Sequence, residues 1–236
     1  MSYPIISADS HITEAPDTYV AHIDRAWRDK APRIVSTDKG DVFQIDGMAK
    51  PIHLGLVAAA GKPAESITTT GARFSDLHRG GWDPDARMAD QVRDGVAAEI
   101  IYPTVGMLLC NHPSYDYQKA CFDAYNRWIA AYCDRHPARL LGCGQTAGRS
   151  PTEMIEDFKS IKALGLRGVM MPGNPAVEDY DSKIYDPVWE AALELDLPLS
   201  FHILTTREAA PTRGPRINSF LSIIRGNQDI MGTLIF

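Results

Sequence analysis

The stretch SPTEMIEDFKSIKALGLRGVMMPG, residues 150–173, carries one full unit of the pattern that decides the fold. Ser150 is placed as an N-cap, Pro151 takes the first helical position, where a missing N–H costs nothing, and Glu153 completes a capping box. Ile155, Phe158 and Ile161 recur at helical spacing, and Gly165 is placed to stop the helix in a left-handed conformation. A short apolar strand, Arg167–Pro172, follows at once. Helix, glycine, strand is the unit.

Outward from that stretch the unit repeats. Asp83-Pro84 opens an earlier helix, with Met88 and Val92 at helical spacing and Gly95 near its end, and Asp186-Pro187 opens a later one through Trp189 and Leu193. Strands are expected at Tyr3–Ser10, Glu99–Thr104, Leu140–Thr146, Arg167–Pro172 and Leu197–Ile203. A long helix from about Tyr117 to Arg135 sets Cys121, Tyr125, Trp128, Ile129 and Tyr132 on one stripe, which is a core-facing face. Strands alternating with helices predict a parallel sheet with crossover helices. Residues 16–82 break the alternation with Pro32, Gly40, Gly47, Gly55, Gly61 and Pro63. They read as an insertion after the first strand, with a small hairpin within Arg33–Ile52, overhanging the strand ends where such folds carry their sites.

Composition excludes several classes. Of 236 residues, 44% are apolar and 23% charged, which supports a sizeable core and excludes disorder and collagen-like order. With 24 Lys and Arg against 30 Asp and Glu, the net charge is −6, and no basic cluster offers itself to phosphates, so a nucleic-acid partner is not expected. No apolar run reaches the ~20 residues that span a bilayer, and the N-terminus lacks a leader's basic and apolar regions. A cytoplasmic protein is expected. Cys110, Cys121, Cys133 and Cys143 form no C-x-x-C pair and read as reduced packing residues.

Chemistry concentrates at two strand ends. Asp9 and His11, two apart, leave the same face of the first strand. In Leu197–His202, alternation turns Leu197, Leu199 and Phe201 to the helices and Pro198, Ser200 and His202 to the inner face. Each feature alone is also what a hydrogen-bonded turn or a satisfied core histidine gives. Together, one carboxylate and two imidazoles from separate strands make three metal ligands with positions left open, as a catalytic metal requires. Zinc suits the imidazoles first, and the carboxylate admits manganese. Glu14, three residues beyond His11, could be an outer-shell acceptor or a substrate contact. Tyr102 and Asn174 are placed near the same mouth as substrate contacts, and Arg73 or Arg79 could hold a substrate carboxylate if the insertion folds over it. His53 and His78 could reach it likewise. His22, His112 and His136 carry no such signal, His136 lying near a helix C-terminus where an imidazolium meets the dipole favourably.

These residues lie in stretches that resemble the amidohydrolase-related family of metal-dependent barrel enzymes, which includes the aminocarboxymuconate semialdehyde, resorcylate and carboxyvanillate decarboxylases. The stretches are SADSHITE at 7–14, WDPDARMADQVRDGVAAEIIYPT at 82–104, YNRW at 125–128, LGLRGVMMPG at 164–173 and YDPVWEAALELDLPLSFH at 185–202. The resemblance implies an α/β fold of the (β/α)8 TIM-barrel type with one divalent metal at its mouth. Asp9 and His11 fall on the first-strand ligand pair, often His-x-His in the family, and His202 on the fifth-strand ligand. The family's catalytic His after strand six and its Asp after strand eight have no counterpart here, so the catalytic residue is unknown. Asn218–Phe236 reads as the helix after strand five. The expectation is therefore one domain, residues 1–236, holding about the first five βα units of a C-terminally truncated member.

The implied activity is a metal-dependent decarboxylase or hydrolase acting on a small carboxylated cyclic or unsaturated substrate, with a homodimer as a possible assembly. The alternative is a non-catalytic fragment that keeps part of the ligand set. A dinucleotide- or phosphate-binding protein has no support, for want of a G-x-G-x-x-G after the first strand or a P-loop.

Overall fold

The structure is a computed structural model that describes residues 3–57, 59–205 and 231. The chain opens with strand β1 (Ile5–His11) and then forms a small antiparallel sheet of β2 (Arg33–Thr37), β3 (Gly40–Gln44) and β4 (Ile52–His53), followed by a single helical turn, α1 (Leu54–Val57). Alternation begins with α2 (Pro84–Asp94) and β5 (Val96–Tyr102). It continues through α3 (Val105–Leu109), α4 (Tyr115–Asp134), β6 (Leu140–Gln145), α5 (Pro151–Ala163), β7 (Gly168–Met171), α6 (Asp186–Glu194) and β8 (Leu199–Phe201).

The main sheet runs β1-β5-β6-β7-β8, every pair parallel. Strand order follows chain order and never reverses. Because crossovers between parallel strands are right-handed, an order without reversal puts every helix on one face. A doubly wound sheet would reverse at a switch point and carry helices on both faces. Here the bare face curls inward, and the five strands form part of a (β/α)8 barrel, as the family resemblance implies.

Local signals are realised where they were read, except that the Glu153 carboxylate pairs with Arg149 instead of completing the capping box. Ser150 Oγ accepts the Glu153 N–H at 3.2 Å, and Asp83 accepts the N–H groups of Asp85 and Ala86. Gly95 and Gly165 take φ of 70° and 79°, the left-handed conformation that closes α2 and the turn after α5. Most boundaries move by one to three residues. The second strand of the main sheet starts at Val96 rather than Glu99, because Gly95 turns the chain directly from helix into strand. The fifth is shorter than expected, Leu199–Phe201, and α4 starts at Tyr115, capped by the Ser114 hydroxyl on the Tyr117 N–H. The expected hairpin is β2–β3, to which β4 adds a third strand. Asn218–Phe236, expected as a helix, lies outside the described residues apart from Met231. Among the described residues no helix is long and apolar enough to cross a membrane.

The core lies between the sheet and its helices. Tyr125 and Ile129 of α4 and Phe158 and Ile161 of α5 are fully buried there. Their approach depends on missing side chains in β6: a Cβ on Gly142 would meet Cys133 Sγ at 2.9 Å, and one on Gly144 would meet three carbons of Ile161 at 2.7–3.0 Å. Since both branches of Ile161 are in the way, Gly144→Ala must push α5 off the sheet. The expected cost is about 1–3 kcal/mol of stability, read from urea unfolding.

Candidate metal centre

Four inter-strand steps of about 4.8 Å would leave β1 and β8 about 19 Å apart in a flat sheet, too far for two imidazoles to meet. The curl brings them together. His11 Nε2 and His202 Nε2 stand 3.1 Å apart, and Asp9 Oδ1 lies 3.4 Å from the first and 3.2 Å from the second. Asp9 and His11 share a face of β1 by two-residue periodicity, and His202 follows directly on β8.

The other nitrogen of each ring fixes what these atoms offer. His11 Nδ1 is 3.0 Å from the Pro103 carbonyl oxygen and His202 Nδ1 is 2.9 Å from that of Ile203. A carbonyl only accepts, so both Nδ1 atoms donate, and in neutral rings both Nε2 atoms present lone pairs. Burial holds the His11 pKa below its ordinary value, which favours the neutral ring. With both rings neutral, three acceptors converge within 4.8 Å, an arrangement that repels itself unless a proton or a metal cation sits among them. The spacing fits a metal: bonds of about 2.0–2.1 Å set tetrahedral ligand atoms about 3.3 Å apart. Asp9 is exposed while the imidazoles are part-buried, so the centre opens on the solvent side.

Around the ligands the sheet supplies supports. The Tyr102 ring lies 6.1 Å from that of His11 and 5.5 Å from that of His202, and its hydroxyl donates to Ser200 Oγ at 2.8 Å, crossing the inner face from β5 to β8. Burial raises the Tyr102 pKa, keeping the phenol neutral. Behind β1, the buried Arg87 donates from Nη2 to the His11 carbonyl at 2.6 Å and from Nε to that of Gly80, and it pairs with Glu99 at 3.6 Å.

Of the residues singled out in the sequence, the structure assembles Asp9, His11, His202 and Tyr102. Glu14 is fully buried, and its Oε1 accepts the backbone N–H groups of Thr104, Val105 and Gly106, so it is turned into the protein rather than toward a substrate. Arg73 Nη1 is held by Asp41 at 2.9 Å in the small antiparallel sheet, and Arg79 by Asp83. Asn174 is exposed in the loop after β7. His78 pairs with Asp90, His112 contacts the Asp46 carbonyl, and His136 pairs with Asp85 rather than acting on a helix end alone. Sequence reasoning did not find Pro103, Ile203, Ser200 or Arg87 as supports. Arg87 and Pro103 stand inside the quoted stretch 82–104, while Ser200 was placed only by its face.

Comparison with known proteins gives a family and a fold. The sequence model of the amidohydrolase family matches residues 45–222. An amidohydrolase from Mycobacterium avium subsp. paratuberculosis K-10 superposes with a TM-score of 0.67 at 21% identity, covering 86% of this chain and 59% of that one. A 5-carboxyvanillate decarboxylase from Novosphingobium aromaticivorans, solved with bound manganese, gives 0.56 at 18% identity over 89% of this chain and 53% of its own. The 2,6-dihydroxybenzoate decarboxylase from Rhizobium gives 0.57 at 15% identity over 98% and 62%. This chain thus spans between half and two thirds of the length of the structures it resembles.

Two outcomes follow from the geometry. Titration with Zn²⁺ or Mn²⁺ in a calorimeter should give one site, lost in His11→Ala and in His202→Ala. Burial also raises the Glu14 pKa from 4.5 to about 7. A raised pKa means that the folded chain binds more protons than the unfolded one between those values. The stability from Glu14 is then fully present below about pH 4.5 and lost as pH rises through about 7. Between pH 4.5 and 8 the stability difference between wild type and Glu14→Gln should shift toward the variant by up to about 3 kcal/mol, read from urea unfolding.

Proposed function

This chain belongs to the amidohydrolase family, and we propose that it is a metal-dependent carboxy-lyase that removes CO₂ from a small aromatic carboxylate. The observation that carries the proposal is the convergence of Asp9 Oδ1, His11 Nε2 and His202 Nε2 as three acceptors on the open side of the sheet. Support for decarboxylation comes from the fold shared with the carboxyvanillate and dihydroxybenzoate decarboxylases. We read residues 1–236 as one barrel domain with residues 16–82 inserted after the first strand.

A divalent ion held by these three residues supplies a Lewis acid for the negative charge that develops as CO₂ departs. The protein does the rest. Both imidazoles are locked by backbone carbonyls, so the acceptors are set before any ligand arrives and need no reorganisation. Tyr102, neutral and tied to Ser200, offers an aromatic face beside the ligands against which a substrate ring can lie. The one carboxylate among the ligands leaves a cationic site when a divalent ion is bound, which favours an anionic substrate. Zinc and manganese both suit two imidazoles and a carboxylate. The same reading gives a cytoplasmic protein whose partner is the small-molecule substrate, with a homodimer to be sought by sizing.

The assay is metal-loaded protein incubated with hydroxylated benzoates and, separately, with lactones. CO₂ release from a benzoate, falling to background in His202→Ala, is the expected result. Ring opening without CO₂ release would replace the lyase by a hydrolase, and turnover of neither would overturn the proposal.

A further inference from the structure

We infer that Glu14 is a positioning residue for the metal centre, acting on the His11 imidazole through the single peptide group between Pro103 and Thr104. The inference rests on the metal-centre reading above. The carbonyl of that peptide, on Pro103, accepts the His11 Nδ1–H at 3.0 Å. Its N–H, on Thr104, donates to Glu14 Oε1 at 3.1 Å. A trans amide points its C=O and its N–H to opposite sides, so one rigid plane has the carboxylate on one side and the imidazole on the other. The next two N–H groups, of Val105 and Gly106, reach the same oxygen at 2.9 and 3.2 Å and fix the plane's tilt.

Electrostatics gives the linkage a direction. Negative charge on the N–H side draws the amide proton and shifts electron density to the carbonyl oxygen, which becomes a stronger acceptor for the Nδ1–H. That holds His11 in the tautomer whose Nε2 lone pair faces Asp9 and His202, and it makes Nε2 more basic. Metal-binding histidines commonly set Nδ1–H directly on a carboxylate or a carbonyl. Here a carboxylate stands behind the carbonyl, with one peptide interposed.

The surroundings agree. Glu14 is fully buried, its Oε1 also receives the Tyr19 hydroxyl at 3.4 Å, and its Oε2 has no partner among the described residues. A carboxylate so placed cannot touch a substrate, and its desolvation needs a compensating role. His202 is built differently: its Nδ1 donates to the carbonyl of its own neighbour, Ile203. The two ligands therefore form an internal control.

The test uses the full chain at pH 8, with Glu14→Gln as the main variant and Glu14→Ala as the second. In metal-free protein, ¹⁵N imidazole spectra should show His11 moving from a single Nδ1–H tautomer toward a mixture while His202 stays unchanged. Zn²⁺ affinity by calorimetry should fall about tenfold, the lower end for loss of an outer partner. If Glu14→Ala does not fold, the isosteric Glu14→Gln still gives both readouts. An unchanged His11 tautomer with affinity within about twofold of wild type would overturn the inference. Equal shifts in both histidines would also overturn it, since they indicate general loosening. His11→Ala separates the two levels: if it leaves Zn²⁺ affinity intact, the metal centre itself fails, whatever Glu14 does.

Discussion

The approach of two imidazole nitrogens to 3.1 Å, at the ends of the outermost strands of a five-stranded sheet, is the constraint that the rest of the structure answers to. The backbone sets that approach. The sheet must curl, and for that the helices must lie on one face and press close. Gly142 and Gly144 let α4 and α5 do so. The Nδ1 atoms must be occupied so that the rings cannot turn aside, and the carbonyls of Pro103 and Ile203 occupy them.

The same demand explains the concentration of charge behind β1. Arg87, Glu99 and Gln91 form a buried group whose bonds run to the His11 and Gly80 carbonyls, to Ser10 and to the Arg139 carbonyl. Isolated, each of these groups would destabilise a core. Paired, they fix the direction in which the first strand ends, where an apolar contact would only fix its depth. The strand that bears two of the three ligands is thus held by directional bonds, as is the end of β6, where the Asn126 side chain pairs with both backbone groups of Gln145.

What could be read from the sequence was what depends on near neighbours. Ser150, Asp83, Gly95 and Gly165 announced helix ends because capping is settled within three or four residues, and the alternation in Leu197–His202 turned His202 inward because a strand's faces follow from parity. Asp9 and His11 were found by the same rule. Distances between strands were not legible, since they come from register and curl. The carbonyls that orient the imidazoles leave no trace in a sequence, every residue having one. Glu14 was placed at the mouth by its position after His11, but three backbone N–H groups some ninety residues away turned it inward. Arg73 was offered to a substrate carboxylate, yet the turn between β2 and β3 put Asp41 in its path. The five-residue α3 has too few residues to show a period.

The hydrogen bond from Tyr102 to Ser200 has a consequence of its own. It spans the concave face as a chord, skipping two intervening strands, and its length is that of one phenol ring plus one bond. A chord of fixed length sets the radius of the arc above it. The ligand spacing is therefore gauged by a rigid aromatic strut that starts level with His11 and ends two residues before His202, and the bite of the centre, which decides the size of ion it accepts, is a dimension of the sheet before it is a property of the ligands.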